Sequence, residues 1–117
     1  MKGYRKNPVG AHYGLGDWLL QRLTAVVMAA YTLLALGCIV IGPPATYAQW
    51  QAMFAKTPFR VVTMLFFLAL LYHAWVGMRD IIMDYVRAAG MRLALESAVA
   101  LLLLFYLVWA ASLLWGR

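Results

Sequence analysis

The sequence predicts an all-α membrane protein with three transmembrane helices and a short interfacial helix between the first and second. Composition is the first reason. Of 117 residues, 66% are hydrophobic and 12% charged, whereas a soluble domain has about 45–50% apolar and about 25% charged residues. The second is the spacing of the charges. No Asp, Glu, Lys or Arg occurs in the 33 residues between Arg22 and Lys56, the 18 between Arg60 and Arg79, or the 20 between Glu96 and Arg117. About 20 apolar residues suffice to cross a bilayer. The third is the position of the helix breakers, which divide the longest window.

The first helix is expected to start near Asp17 or Trp18, where a carboxylate suits the positive end of the helix dipole and an indole suits the headgroup layer. Gly42-Pro43-Pro44 ends it near Ile41, because proline lacks the backbone donor and its ring blocks the preceding turn. Between Pro44 and Pro58, Tyr47, Trp50, Gln51 and Phe54 repeat at i, i+3, i+4, i+7 behind a capping Thr46. That pattern describes a short amphipathic helix lying on the membrane surface. A second spanning helix is expected from Pro58 to about Ala88, with Gly90 as its C-terminal cap. The third runs from about Met91 to Trp115, and so short a connection makes the two antiparallel neighbours. Residues 1–16 form a cytoplasmic N-terminal segment and residues 17–117 a single three-helix transmembrane domain.

Three crossings place the termini on opposite sides. With the N-terminus inside, Lys2, Arg5, Lys6, Arg22, Arg79, Arg87 and Arg92 lie at the inner face, against Lys56, Arg60 and Arg117 outside. The positive-inside rule favours that orientation. No secretory h-region follows the basic start and the N-terminus lacks transit-peptide composition, so a bacterial inner-membrane protein inserted intact is expected. The composition excludes a soluble catalytic domain. Cys38, the single cysteine, excludes a disulfide scaffold, and the net charge of +6 is not gathered on a polar surface that would bind nucleic acid.

Polar residues at membrane depth are costly unless they face partners or a cavity. His73 is the deepest, 13 residues after Arg60 and 6 before Arg79. A neutral imidazole there supports a helix–helix hydrogen bond, a haem ligand or a proton relay. Gly77, one turn on, bares the backbone on the same face, for a flat macrocycle or for close helix packing. Asp84 and Tyr85 follow about three turns later, roughly 16 Å nearer the cytoplasm. They form either a hydrogen-bonding carboxylate–phenol pair or an interfacial tyrosine beside an Asp84–Arg87 ion pair.

Arg22 is suited to snorkelling or to an anionic partner. If Asp17 and Asp84 mark one interface, Arg22 lies about 7 Å deep and His73 about 16 Å deep. Arg79 and Asp80 could belong to the same polar set but are expected rather as solvated or inter-subunit charges, and Glu96 as the partner of Arg92 one turn earlier. Cys38, Met28 and Met78 are packing residues. His12 lies outside the membrane window and cannot pair with His73 at one iron; if His73 binds a haem with two axial histidines, the second must come from another subunit.

His73-Ala74-Trp75-Val76-Gly77-Met78, five residues and then Asp84-Tyr85, preceded by Asp17-Trp18, Gln21-Arg22 and Thr24-Ala25, resembles the smaller hydrophobic membrane anchor of bacterial succinate dehydrogenase, respiratory complex II. The resemblance runs from Gly16 to Trp115. It implies a haem b shared with a second cytochrome b anchor subunit, His73 as one axial ligand to the haem iron, and Arg22 neutralising a haem propionate. It implies a ubiquinone site in which Tyr85 hydrogen-bonds a quinone carbonyl beside Asp84, completed by an iron–sulfur subunit. A flavoprotein subunit would oxidise succinate elsewhere, since this chain carries neither a flavin fingerprint nor a cysteine cluster. Some members have a histidine just ahead of the first span; His12 is close but not aligned, and no propionate role is given to it. A fumarate reductase or other quinone-linked anchor, and a non-catalytic scaffold or assembly protein, are the alternatives.

Overall fold

The computed structural model describes residues 8–116, with side chains from Leu15 onward; Lys2, Arg5, Lys6, Arg117 and the His12 side chain lie outside the described residues. Four helices follow in order: α1 (Pro8–Ile41), α2 (Tyr47–Ala55), α3 (Thr57–Tyr85) and α4 (Ala89–Trp115). Three are long and apolar enough to span a membrane, over Leu15–Ile41, Thr57–Tyr85 and Ala89–Trp115, with the short α2 between the first two as expected.

α1 is already helical at Pro8, the first described residue, nine residues before the expected start at Asp17. The residues before Asp17 are too mixed in polarity to announce a helix, yet none of them breaks one. Gly42, Pro43 and Pro44 end the helix as read from the sequence. Thr46 then caps α2, its hydroxyl accepting from Gln49 N at 3.3 Å while the Gln49 side chain accepts from Ala45 N at 2.6 Å. Lys56 separates α2 from α3 in an extended conformation, and Pro58 falls in the first turn of α3.

α3 stops at Tyr85, three residues earlier than expected, and Gly90 is not its cap but the second residue of α4. Val86 is extended (φ −102°, ψ 116°) and its N–H closes on Ile82 O at 2.9 Å. The missing cap is supplied from the next helix: Arg92 donates from Nε to Val86 O at 2.5 Å and from a terminal nitrogen to Met83 O at 3.2 Å. Carbonyls left over at a helix C-terminus are good acceptors for an arginine fork. This replaces the expected Arg92–Glu96 pair. Arg87 lies beyond the end of α3, so the helical spacing required for an Asp84–Arg87 pair is lost.

α3 is the central element, packed against α1, α2 and α4. The core is a thin seam. Among the described residues only Thr63, Ala69, Val76 and Ile82 of α3 and Ala110 of α4 are buried. Small residues suit helix contacts in lipid, where association depends on close packing and hydrogen bonds rather than on exclusion of water. One such bond ties α1 to α3: Tyr31 Oη lies 2.7 Å from Thr63 Oγ1, which itself donates to Phe59 O at 2.7 Å. The Tyr31 ring stacks on Phe66 with centroids 4.5 Å apart.

Candidate functional site

On α1, Asp17, Gln21 and Thr24 recur at i, i+4, i+7 and share one face of an apolar helix. On α3, His73, Val76 and Asp80 recur at i, i+3, i+7. The two faces meet. Between them opens a cleft of about 450 Å³ lined by Asp17, Trp18, Gln21, Arg22, Ala25, His73, Val76 and Asp80.

His73 is half-buried in this cleft and both ring nitrogens face α1. Nδ1 lies 3.0 Å from Thr24 Oγ1, and Nε2 lies 3.5 Å from the side-chain nitrogen of Gln21, which also donates to His73 O at 3.4 Å. Gln21 Oε1 is buried without a partner among the described residues. One turn before Gln21 on α1, Asp17 forms an ion pair with Arg79, farther along α3. The expectation of a solvated or inter-subunit Arg79 is thereby corrected: its carboxylate is on α1 of the same chain.

This ion pair also revises the helix register. Asp17 stands level with Arg79, five residues before Asp84, so Asp17 and Asp84 do not mark one plane. Tyr31 with Thr63, and Gln21 with His73, follow the same antiparallel register. Arg22 therefore has its backbone at the depth of His73 rather than nearer the surface. Its side chain turns back, with the guanidinium 5.1 Å above the Trp18 ring, and this restores an offset between cation and imidazole. Side chains on a helix incline toward its N-terminus, here the expected cytoplasmic end. No carboxylate pairs with Arg22 among the described residues.

Gly77 distinguishes its two expected uses within this chain. A Cβ built there meets no atom within 4 Å, so no helix of this chain packs against it and that face is open. Asp84 and Tyr85 lie elsewhere. Both are exposed at the end of α3, Tyr85 at 82%, and neither lines the cleft. The sequence-predicted residues thus form two groups, His73 with Arg22 in the cleft, and Asp84 with Tyr85 about 16–18 Å away along α3.

The far end of the spans holds a second hollow, of about 790 Å³, roofed by α2 and walled by aromatic residues including Tyr31, Trp50, Phe54 and Phe66. The amphipathic face of α2 turns toward it. Arg60 also lines it, with its guanidinium 5.8 Å from the Trp115 ring and its Nε buried without an acceptor among the described residues.

Residues 4–114 match the family described as the Succinate dehydrogenase/Fumarate reductase transmembrane subunit. The chain belongs to this family. It is similar to the succinate dehydrogenase hydrophobic membrane anchor subunit of Coxiella burnetii, 39% identical over 102 residues that cover 87% of this chain and 89% of that protein. It is also similar to the subunit of the same name from Rickettsia felis, 32% identical over 106 residues covering 88% and 80% of the two chains. With three apolar helices of spanning length, this member of the family is a multi-pass membrane protein.

Gln21, Thr24 and the Asp17–Arg79 pair are the site features that residue-by-residue reading missed as a structural unit. The signal was present. A polar residue every turn along one face of a membrane helix marks a buried contact, and Asp17, Gln21 and Thr24 form such a stripe. Which residues of α3 they meet depends on the register and rotation of two helices, and those are tertiary properties.

Proposed function

We propose that this chain is the hydrophobic membrane anchor of a succinate dehydrogenase and that it holds part of a haem b site and part of a ubiquinone-reduction site. The observation that carries the reading is that His73 and Arg22, separated by 50 residues of sequence, line one cleft at span depth in a chain of this family. The names borne by the relatives favour succinate dehydrogenase over fumarate reductase.

The residues present suit a haem. His73 offers one imidazole nitrogen, and Gly77 leaves its backbone face open. Arg22 is a cation with no carboxylate of its own among the described residues, complementary to a propionate. His73 is the only histidine among the described side chains, so a second histidine ligand would come from a partner cytochrome b anchor subunit. A haem bound there would act as a one-electron carrier.

Quinone reduction consumes two electrons and two protons. Tyr85 can donate a hydrogen bond to a quinone carbonyl, which polarises it toward reduction, and Asp84 can accept and pass protons from the adjacent aqueous phase. Their exposure on this chain fits a pocket completed by an iron–sulfur subunit that delivers the electrons, with a flavoprotein subunit oxidising succinate. The excess of Lys and Arg at one end favours a cytoplasmic N-terminus and a periplasmic C-terminus, and the bacterial relatives favour the inner membrane.

The test is purification of the intact complex with its co-purifying subunits and a His73→Met variant. The reading expects a changed reduced-minus-oxidised haem spectrum in the variant. An unchanged spectrum and potential would remove His73 as a ligand. A colourless complex without a flavoprotein would point to a scaffold, and turnover with ubiquinol and menaquinol analogues distinguishes the fumarate-reducing alternative.

A further inference from the structure

We propose that Thr24 is the positioning residue that fixes the tautomer of His73, holding the proton on Nδ1 and leaving the Nε2 electron pair as the donor; this rests on the reading of His73 as a haem ligand. The inference follows from counting protons. A threonine hydroxyl carries one hydrogen and can accept two more bonds. Thr24 Oγ1 lies 2.8 Å from Leu20 O and 3.0 Å from Gln21 O. Neither carbonyl can donate, so the single hydroxyl hydrogen is committed to them in the back-bonding habit of helical threonine. The third neighbour, His73 Nδ1 at 3.0 Å, must then supply the hydrogen of its own contact. Nδ1 is protonated.

The amide of Gln21 is compatible with the same tautomer. Its nitrogen faces His73 O at 3.4 Å and His73 Nε2 at 3.5 Å. An NH₂ group has two hydrogens and these are two acceptors, provided Nε2 is unprotonated. Turning the amide over would set Oε1 against the His73 carbonyl oxygen, so the orientation is fixed by repulsion as well as attraction. Both side chains belong to α1 and the imidazole to α3, so helix packing selects the ring state.

The two contacts differ in strength and therefore in role. Thr24 makes the shorter bond, to the nitrogen that does not ligate. Gln21 makes the longer one, to the nitrogen that would, and is the contact that would give way to a bound iron. A hydrogen bond accepted from the non-ligating N–H makes the imidazole more electron-rich and orients its plane. On iron this favours the oxidised state, so Thr24 holds the haem potential down as well as steering the ring.

The experiment uses the intact complex carrying Thr24→Val, which keeps the shape and removes the hydroxyl, and Thr24→Ser, which keeps the hydroxyl. Three properties of the haem are read: its rate of transfer to an apo-globin acceptor, its midpoint potential, and the low-temperature electron paramagnetic resonance spectrum of the ferric form. Thr24→Val is expected to weaken haem retention by about 10-fold or more, to move the potential in the positive direction and to shift the largest g-value. Thr24→Ser should restore all three. If Thr24→Val does not assemble, Thr24→Ala is read in the same way.

The His73→Met complex separates the two levels of the proposal. An unchanged spectrum there removes the ligand reading, and Thr24 falls with it. A changed spectrum in His73→Met together with wild-type retention, potential and resonance in Thr24→Val overturns the Thr24 assignment alone. A Thr24→Ser protein that resembles Thr24→Val also overturns it, because the hydroxyl would then be irrelevant.

Discussion

Removing the hydroxyl of Thr63 should loosen α1 from α3 by a calculable amount. Thr63 is 3% exposed, and its oxygen is the acceptor for Tyr31 Oη at 2.7 Å. Thr63→Val keeps the branched shape and deletes that acceptor; Tyr31→Phe deletes the donor and keeps the ring on Phe66. Interhelical hydrogen bonds in membranes contribute about 0.6 kcal/mol on average and about 1.7 at most. The bond from Thr63 to Phe59 O adds little, because that carbonyl already accepts the helical N–H four residues on. A Tyr31 hydroxyl stranded by Thr63→Val still borders the larger hollow, where water can reach it, which keeps its penalty near the lower end of about 1–3 kcal/mol.

Each single change should therefore raise the local opening constant about 3- to 18-fold, since about 1.4 kcal/mol corresponds to tenfold. The assay is alkylation by N-ethylmaleimide of a cysteine at Val76, 3% exposed on the α1–α3 seam, in a Cys38→Ser complex under conditions where labelling is limited by opening. The double variant should label no faster than the faster of the two singles, because only one bond is there to lose. A double variant whose rate increase is the product of the single increases would refute a direct Tyr31–Thr63 bond.

The Asp17–Arg79 pair is partly exposed, at 43% and 30% for the two side chains, so Arg79→Gln should raise the same labelling rate less than about fivefold, and Asp17→Arg with Arg79→Asp should recover part of the loss. Arg92→Ala should expose the Val86–Ala88 connection to added protease in inside-out vesicles, with Arg92→Lys intermediate because one ammonium cannot reproduce the fork; equal cleavage of all three proteins would exclude the clamp. Tyr85→Phe should lower ubiquinone reduction while leaving succinate oxidation by an artificial acceptor intact, and unaltered ubiquinone turnover would count against the phenol as a donor.

The spans were readable because a charge in hydrocarbon is penalised at every position, so charge-free windows outline the membrane directly. Pro43, Pro44 and Pro58 marked helix ends for an equally local reason, and Thr46 was legible as a cap. The ends that escaped notice lack local punctuation. α1 is helical ahead of Asp17 through a glycine-rich stretch, and α3 ends at Tyr85 without a glycine because an arginine from the following helix donates to its carbonyls. His73 stood out alone as a polar residue in an apolar window. Its partners could not be named from sequence, since Gln21 and Thr24 acquire meaning only when α1 and α3 take up a particular register.

The thin seam along α3 has an evolutionary corollary. Leu33 and Val40 are 72% and 78% exposed, and exchanging one apolar side chain for another at such positions changes neither membrane partitioning nor any contact within the chain. Ala69 and Ile82, buried and bordering neither hollow, have no such latitude, because one added methylene would push two helices apart. Orthologues should therefore drift freely in the identity of their outer apolar residues while conserving side-chain volume along a single stripe, and a multiple alignment scored by size variance rather than by hydropathy would trace α3's inner face.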